Sequence, residues 1–287
     1  MTELDRGLRL RVVQVAYGDD EPVAARLERV AAVVRAQRGA DLVVLPELWA
    51  HGGFAADQWV ERAEPLSGAF VTAMSEAARD AGVVLHAGSF IERSGAPEPL
   101  RGRSNTSVVL GHDGQVLAVY RKVHRFGFAG GEPLLLDAGE ELATVALAQG
   151  TLGLSTCYDL RFPELYRALL DRGADAFVVP AAWPEPRVEH WRLLGRARAV
   201  ENQCFVVQCN TAGEHSGHRM GGYSQVISPI GDVLAVAGGT GSEEVLDVEI
   251  DLAEVERLRR TFPVHADRRL PPHGPSTAAD SRSTCAA

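Results

Sequence analysis

Cysteine is scarce in this sequence, with four in 287 residues. Cys157, Cys204, Cys209 and Cys285 form no CxxC pair and no zinc-like spacing. A disulfide framework or a zinc module is therefore excluded as the source of stability. Such usage predicts a reducing compartment, where each cysteine is a thiol. Long apolar runs are missing too; none reaches the ~18–20 residues that span a bilayer. The stretch Met1 to Arg11 is charged and lacks the apolar core of a signal peptide, which again predicts a cytoplasmic protein. There is no surplus of positive charge. With 38 acidic and 29 basic residues the net charge is −9, so neither nucleic acid nor an anionic membrane is the expected partner. The cluster Arg257, Arg259 and Arg260 reads as a solvated helix face. No internal repeat is visible.

What is present is ordinary globular material: 46% hydrophobic and 23% charged residues. A chain of this length buries enough surface to fold without a staple. Strand-like and helix-like segments alternate along it. Strands are predicted over 8–16, 41–45, 83–91, 105–110, 116–120, 152–156, 175–179, 204–209, 222–228, 233–237 and 244–250. Helices are predicted over 22–37, 69–81, 163–172, 187–202 and 252–260. Gly82 stops the second helix, and Pro163 opens the third. Asp113-Gly114 is a hairpin signal. The pattern is mixed α/β, with a mixed sheet or two sheets. One domain is expected over 1–270. Residues 271–287 are rich in Pro, Ser, Thr and Ala and are expected to form a disordered or loosely wrapped tail, where Cys285 is incidental.

Chemistry begins at Cys157. It falls just past a predicted strand and just before a helix, where a turn exposes a thiol beside backbone N–H groups. A nucleophilic thiol needs a base or a cation nearby. Local sequence leaves two readings, a reactive thiol or a buried inert one. Asp159 and Arg161 tilt it toward function. Cys204 and Cys209 lie in an apolar strand and read as buried. None of the nine histidines has the context of a base; His215 and His218 lie in a Gly-rich loop. Glu47, after Pro46 at the end of DLVVL, is a candidate base at a sheet edge. Lys122 ends the strand VLAVYRK, where its ammonium could stabilise a thiolate and an oxyanion. Each singly also reads as a strand-end charge reaching solvent.

Together they point further. Leu45-Pro46-Glu47-Leu48, Tyr120-Arg121-Lys122-Val123-His124 and Cys157-Tyr158-Asp159-Leu160-Arg161-Phe162-Pro163-Glu164 occur in that order, with gaps of 75 and 35 residues. Asn105-Thr106-Ser107, Pro180-Ala181-Ala182-Trp183-Pro184 and Ala197-Arg198-Ala199-Val200-Glu201-Asn202-Gln203 support them. In these motifs the chain resembles the nitrilase superfamily from about the first strand to Arg269. The resemblance implies a four-layer α-β-β-α sandwich with pseudo-twofold symmetry. It implies a homodimer, through helices such as 163–172 and 187–202. It also implies catalysis by Glu47 as general base, Lys122 as stabiliser of the tetrahedral intermediate and Cys157 as nucleophile. The backbone N–H of Tyr158 would complete the oxyanion hole. Glu132 would position substrate and lysine, although Arg125 stands where that family usually has Leu. No metal and no organic cofactor is implied.

The Cys-Tyr-Asp-x-Arg-Phe-Pro-Glu form resembles amidase branches acting on small carboxylated amides, such as omega-amidases and deaminated-glutathione amidases. Arg161 would then meet the substrate carboxylate; otherwise it is a buried partner of Asp159 or Glu164. Trp49, Phe126, Phe128 and Trp183 are candidate pocket walls, or aromatic core filler. N-carbamoyl amide hydrolysis is the alternative enzymatic reading. A non-catalytic binding or scaffold protein on the same fold is the other.

Overall fold

The computed structural model describes residues 6–269, apart from 99–100, 129 and 242. The tail expected over 271–287, with Cys285, lies outside the described residues. The first half of the chain runs β1 (Gly7–Gln14), β2 (Ala16–Gly18), α1 (Val23–Arg35), β3 (Leu42–Val44), α2 (Trp59–Arg62), α3 (Ala69–Ala81), β4 (Val84–Glu98), β5 (Arg101–Leu110) and β6 (Val116–Arg121). The second runs α4 (Glu132–Leu135), β7 (Thr144–Ala146), β8 (Thr151–Leu154), α5 (Pro163–Asp171), β9 (Ala176–Ala181), α6 (Val188–Asn202), β10 (Phe205–Asn210), β11 (Ala212–His215), β12 (His218–Arg219), β13 (Gln225–Ile227) and β14 (Val233–Val236). β15 (Glu244–Asp251) and α7 (Ala253–Thr261) follow.

Period-2 alternation decides the layers. On β3, Val43 faces helices α1 and α3 while Leu42 and Val44 face the other sheet. On β9, Phe177 and Val179 face α5 and α6 while Ala176 and Val178 face inward. The helices follow the same logic. Phe70, Met74, Ala77, Ala78 and Ala81 put one face of α3 on the sheet. Gly82 ends that helix at φ 70°, a left-handed position that costs glycine little, and its N–H bonds the Ala78 and Arg79 carbonyls. The result is helix, sheet, sheet, helix, as the resemblance implies.

The two sheets have orders β15-β1-β3-β4-β5-β6 and β7-β8-β9-β10-β13-β14. Each has an antiparallel edge strand, then two parallel pairs, then two antiparallel pairs. The path β1-α1-β3-α3-β4-β5-β6 thus recurs as β8-α5-β9-α6-β10-β13-β14. This is a spatial repeat where none is legible in the sequence, because a sheet layer needs matched polarity patterns and not matched residues. Parallel neighbours send the chain ends after β3, β8 and β9 to the same rim. A third, three-stranded sheet, β12-β11-β2, was not anticipated; its strands are too short to show a period. The loop expected around 127–133 closes into the one-turn helix α4. Among the described residues, no helix is long and apolar enough to cross a membrane.

Among the described residues His51, His86 and His215 are buried, His51 beside the Glu64 carboxylate. Burial holds the imidazoles of His86 and His215 down at about 4, below the usual 6.5. Between those values the unfolded chain binds more protons than the folded one. Stability from both is therefore present above about pH 6.5 and is lost as pH falls toward 4. We expect acidification from pH 7 to pH 5 to cost on the order of 1–2 kcal/mol per histidine. Urea midpoints at the two pH values check this. His86→Gln should remove about half of the difference, and an undiminished difference would refute the assignment.

Candidate active site

Four chain segments meet at the rim where the parallel strands end. β3 runs into Leu45-Pro46-Glu47, and the turn is tight. Leu48 takes φ 47°, and its N–H bonds Ser89 Oγ at 3.1 Å. Gly88 passes beneath; a Cβ there would sit 1.9 Å from the Pro46 carbonyl oxygen, so only glycine fits. β6 delivers Lys122, whose N–H bonds the Asn105 carbonyl at 2.9 Å. β8 delivers Cys157, which opens a 3-10 turn over Cys157–Arg161. Cys157 takes φ 47°, a left-handed conformation that costs a non-glycine residue ~1–2 kcal/mol.

Asp159 holds that turn. Its Oδ2 accepts the Thr156 N–H at 2.9 Å and the Tyr120 hydroxyl at 2.7 Å. Its Oδ1 accepts the His124 N–H at 3.0 Å and meets His124 Nδ1 at 2.7 Å. The carboxylate thereby ties the cysteine turn to the end of the strand that carries Lys122. The first N–H groups of such a turn, Cys157 and Tyr158, have no partner within it.

Glu47, Lys122 and Glu132 are each about 97% buried. Lys122 Nζ donates to Glu47 Oε1 at 2.8 Å and to Glu132 Oε1 at 3.1 Å. Asn105 Nδ2 bridges the same two oxygens at 2.8 and 2.7 Å. The second Glu47 oxygen accepts the Ala182 N–H at 2.8 Å, and the second Glu132 oxygen accepts the Phe126 N–H at 2.6 Å. Burial alone would lower the Lys122 ammonium, but the Glu132 and Glu47 carboxylates outweigh it and hold it well above its ordinary value. Burial, against the pull of Lys122, raises Glu132. Cys157 faces the same group. Burial and the Glu47 charge push its thiol well above the ordinary value, with Lys122 opposing.

Above Cys157 lies a cleft of about 260 Å³, lined by Phe54, Phe126, Tyr158, Arg161, Trp183 and Arg187 among others. The Arg161 guanidinium lies 4.7 Å over the Trp183 ring, and its Nη2 is 3.3 Å from His190 Nδ1. It is therefore a wall residue and not a buried partner of Asp159 or Glu164. Trp183 and Phe126 line the cleft as expected of wall candidates. Trp49 does not: the left-handed Leu48 turns the chain, and Trp49 is buried against α3, its Nε1 on the Ala87 carbonyl at 3.0 Å. Phe128 is 83% exposed and lies outside the lining, touching Phe126 edge-on.

A buried acid–ammonium–thiol group under a small cleft is equipped for acyl transfer. The carbon–nitrogen hydrolase pattern matches residues 9–260. This chain belongs to the carbon–nitrogen hydrolase family. It is an amidase by its relatives. It is 45% identical over 269 residues to 2-oxoglutaramate amidase of Paenarthrobacter nicotinovorans, which covers 91% of this chain and 90% of that one. Human omega-amidase NIT2 is 34% identical over 243 residues, covering 82% of this chain and 85% of that one. Nit3 of Saccharomyces cerevisiae, a member of branch 10 of the nitrilase superfamily, matches in structure with a TM-score of 0.80 at 31% identity. That match covers 92% of this chain and 97% of Nit3.

Sequence reasoning missed Phe54 and Arg187 as wall residues, and gave Asn105 no role beyond its motif. Asn105 had a signal, a polar residue opening a Thr-Ser-Val-Val strand just before Lys122 in the hairpin. Arg187 had none, since an arginine in Pro-Glu-Pro-Arg reads as a solvated loop charge.

Proposed function

We propose that this amidase hydrolyses the terminal amide of a small carboxylated amide of the 2-oxoglutaramate type. The products are the acid and ammonia. The observation that carries the reading is the pairing of Glu47 and Lys122 beneath Cys157, with Arg161 in the wall above. Glu47 takes the thiol proton as sulfur attacks the amide carbon. A raised thiol makes that transfer simultaneous with attack, so no free thiolate waits in the site. Oxygen acquires the negative charge and is met by the Lys122 ammonium and the Tyr158 N–H. The Glu47 proton then passes to nitrogen, the C–N bond breaks, and ammonia leaves an acyl thioester on Cys157. Water, deprotonated by Glu47, attacks the thioester. The S–C bond breaks and the thiol recovers its proton. Glu132 stays bound to Lys122 throughout and keeps its ammonium aimed.

Arg161 is suited to the substrate carboxylate because its planar fork matches two oxygens. Ring stacking and the contact to His190 restrict it beforehand. Ammonia release from 2-oxoglutaramate, glutaramate, butyramide and an N-carbamoyl amino acid tests the proposal. The two carboxylated amides should exceed butyramide in kcat/KM by about 100-fold, the worth of one charge-assisted contact of ~1.5–3 kcal/mol. Equal turnover of butyramide, or preference for the carbamoyl compound, would overturn the assignment.

A further inference from the structure

Among the described residues lining the cleft, Arg161 and Arg187 are the charged ones. Neither guanidinium has a carboxylate partner among the described residues; the neighbouring Glu185 is engaged by Thr240 and Arg219. The Arg187 guanidinium lies 5.7 Å from the centre of the Phe126 ring. Its carbonyl accepts the Trp183 indole N–H at 2.7 Å, which fixes the Arg187 backbone to the ring beneath Arg161. One indole thus contacts the Arg161 side chain through its ring and the Arg187 backbone through its nitrogen. The cleft is small, which suits a short-chain acid amide.

One guanidinium satisfies one carboxylate, through two parallel hydrogen bonds. The amide end of the substrate is taken by Cys157, Lys122 and the Tyr158 N–H. Arg187 is exposed to solvent on its outer side, and as a second guanidinium without a carboxylate partner in the cleft lining it is free to meet a second acceptor on the chain between. We infer that Arg187 reads the 2-position of the substrate, donating to an oxo oxygen there and rejecting an ammonium. A 2-oxo oxygen lies next to the carboxylate and has free lone pairs, so it presents acceptors to both arginines. A 2-ammonium group would bring a like charge against Arg187 with no lone pair to offer. At about 5 Å and an effective dielectric near 20, that repulsion is worth on the order of a hundredfold in selectivity. This inference rests on the proposed carboxylated-amide substrate and adds the discrimination between an oxo acid and the amino acid of the same skeleton.

The experiment compares 2-oxoglutaramate, glutaramate and glutamine on the parent, Arg187→Met and Arg187→Lys proteins, with melting temperatures to verify folding. These amides differ at the 2-position alone. In Arg187→Met, kcat/KM for 2-oxoglutaramate should fall about 10–100-fold. Glutaramate should fall less, and glutamine should stay or rise, so the oxo-to-amino ratio collapses. Arg187→Lys keeps the charge and should retain most of the rejection of glutamine. An unchanged oxo-to-amino ratio in a folded Arg187→Met protein overturns the inference. So does an equal fall for glutaramate and the oxo amide, which would make Arg187 a carboxylate contact. If the parent prefers glutaramate no more than butyramide, the underlying substrate reading has failed, and this inference falls with it.

Discussion

With Cys157 replaced by alanine, the protein is expected to release no measurable ammonia from any amide while keeping its fold. Glu47, Lys122 and Glu132 hold one another through Asn105 and two backbone N–H groups, and the cysteine sulfur supports none of those bonds. The turn that presents residue 157 is held by Asp159, which is also independent of the sulfur. Alanine adopts the left-handed φ no less readily than cysteine. Loss of one buried sulfur should cost about 1 kcal/mol of stability. Loss of the nucleophile from a set that acts as a unit should cost at least ~10⁴-fold in kcat. Serine in its place should be nearly as inactive, because its hydroxyl is a weaker acid than a thiol and the site already raises a thiol. Ammonia release, read with thermal unfolding, checks both halves. Turnover in the alanine protein would remove Cys157 from the mechanism.

Much of the site was legible because each reactive residue sits where a strand stops. Pro46 ends DLVVL, Thr156 ends the strand before Cys157, and both mark a sheet edge whichever face is buried. The four layers came with the family resemblance; the residue pattern by itself read only as a mixed sheet or two sheets, with 41–45 a short buried strand. What the sequence hides is the relation between elements far apart in the chain. Ala182 and Glu47 are 135 residues apart, yet the Ala182 N–H fixes one carboxylate oxygen. Asp159 appeared as a polar neighbour of the cysteine; its work is to join that turn to Tyr120 and His124, 39 and 35 residues earlier. Trp49 shows the opposite failure. It read as a pocket wall or as aromatic core filler, and the left-handed Leu48 between it and Glu47 sends it to the core. Arg187 is the subtler case, for it is exposed as its sequence context suggests and still lines the cleft.

Lys122→Met should produce the second large effect, and it tests the electrostatics rather than the nucleophile. Methionine keeps most of the side-chain volume and removes the charge. Glu47 and Glu132 are then left buried, close together, with the Asn105 amide as their shared donor. Breaking a buried ion pair from one side costs ~3–5 kcal/mol, because the remaining charge is uncompensated. The pair of carboxylates will respond by keeping a proton, so its folded-state affinity for one rises above that of the unfolded chain. A folded state that binds more protons than the unfolded one loses stability as pH rises. The variant should therefore lose more stability at pH 8 than at pH 5, where the trapped proton costs less. Adding Glu132→Gln removes one of the two carboxylates and should recover part of the stability without recovering turnover. Activity should fall more than the ~10²–10³-fold given by loss of one oxyanion donor, since a protonated Glu47 cannot accept the thiol proton. Urea unfolding of the single and double variants at both pH values decides the matter. Equal losses at pH 5 and pH 8 would mean that Lys122 does not hold the two carboxylates in their charged form.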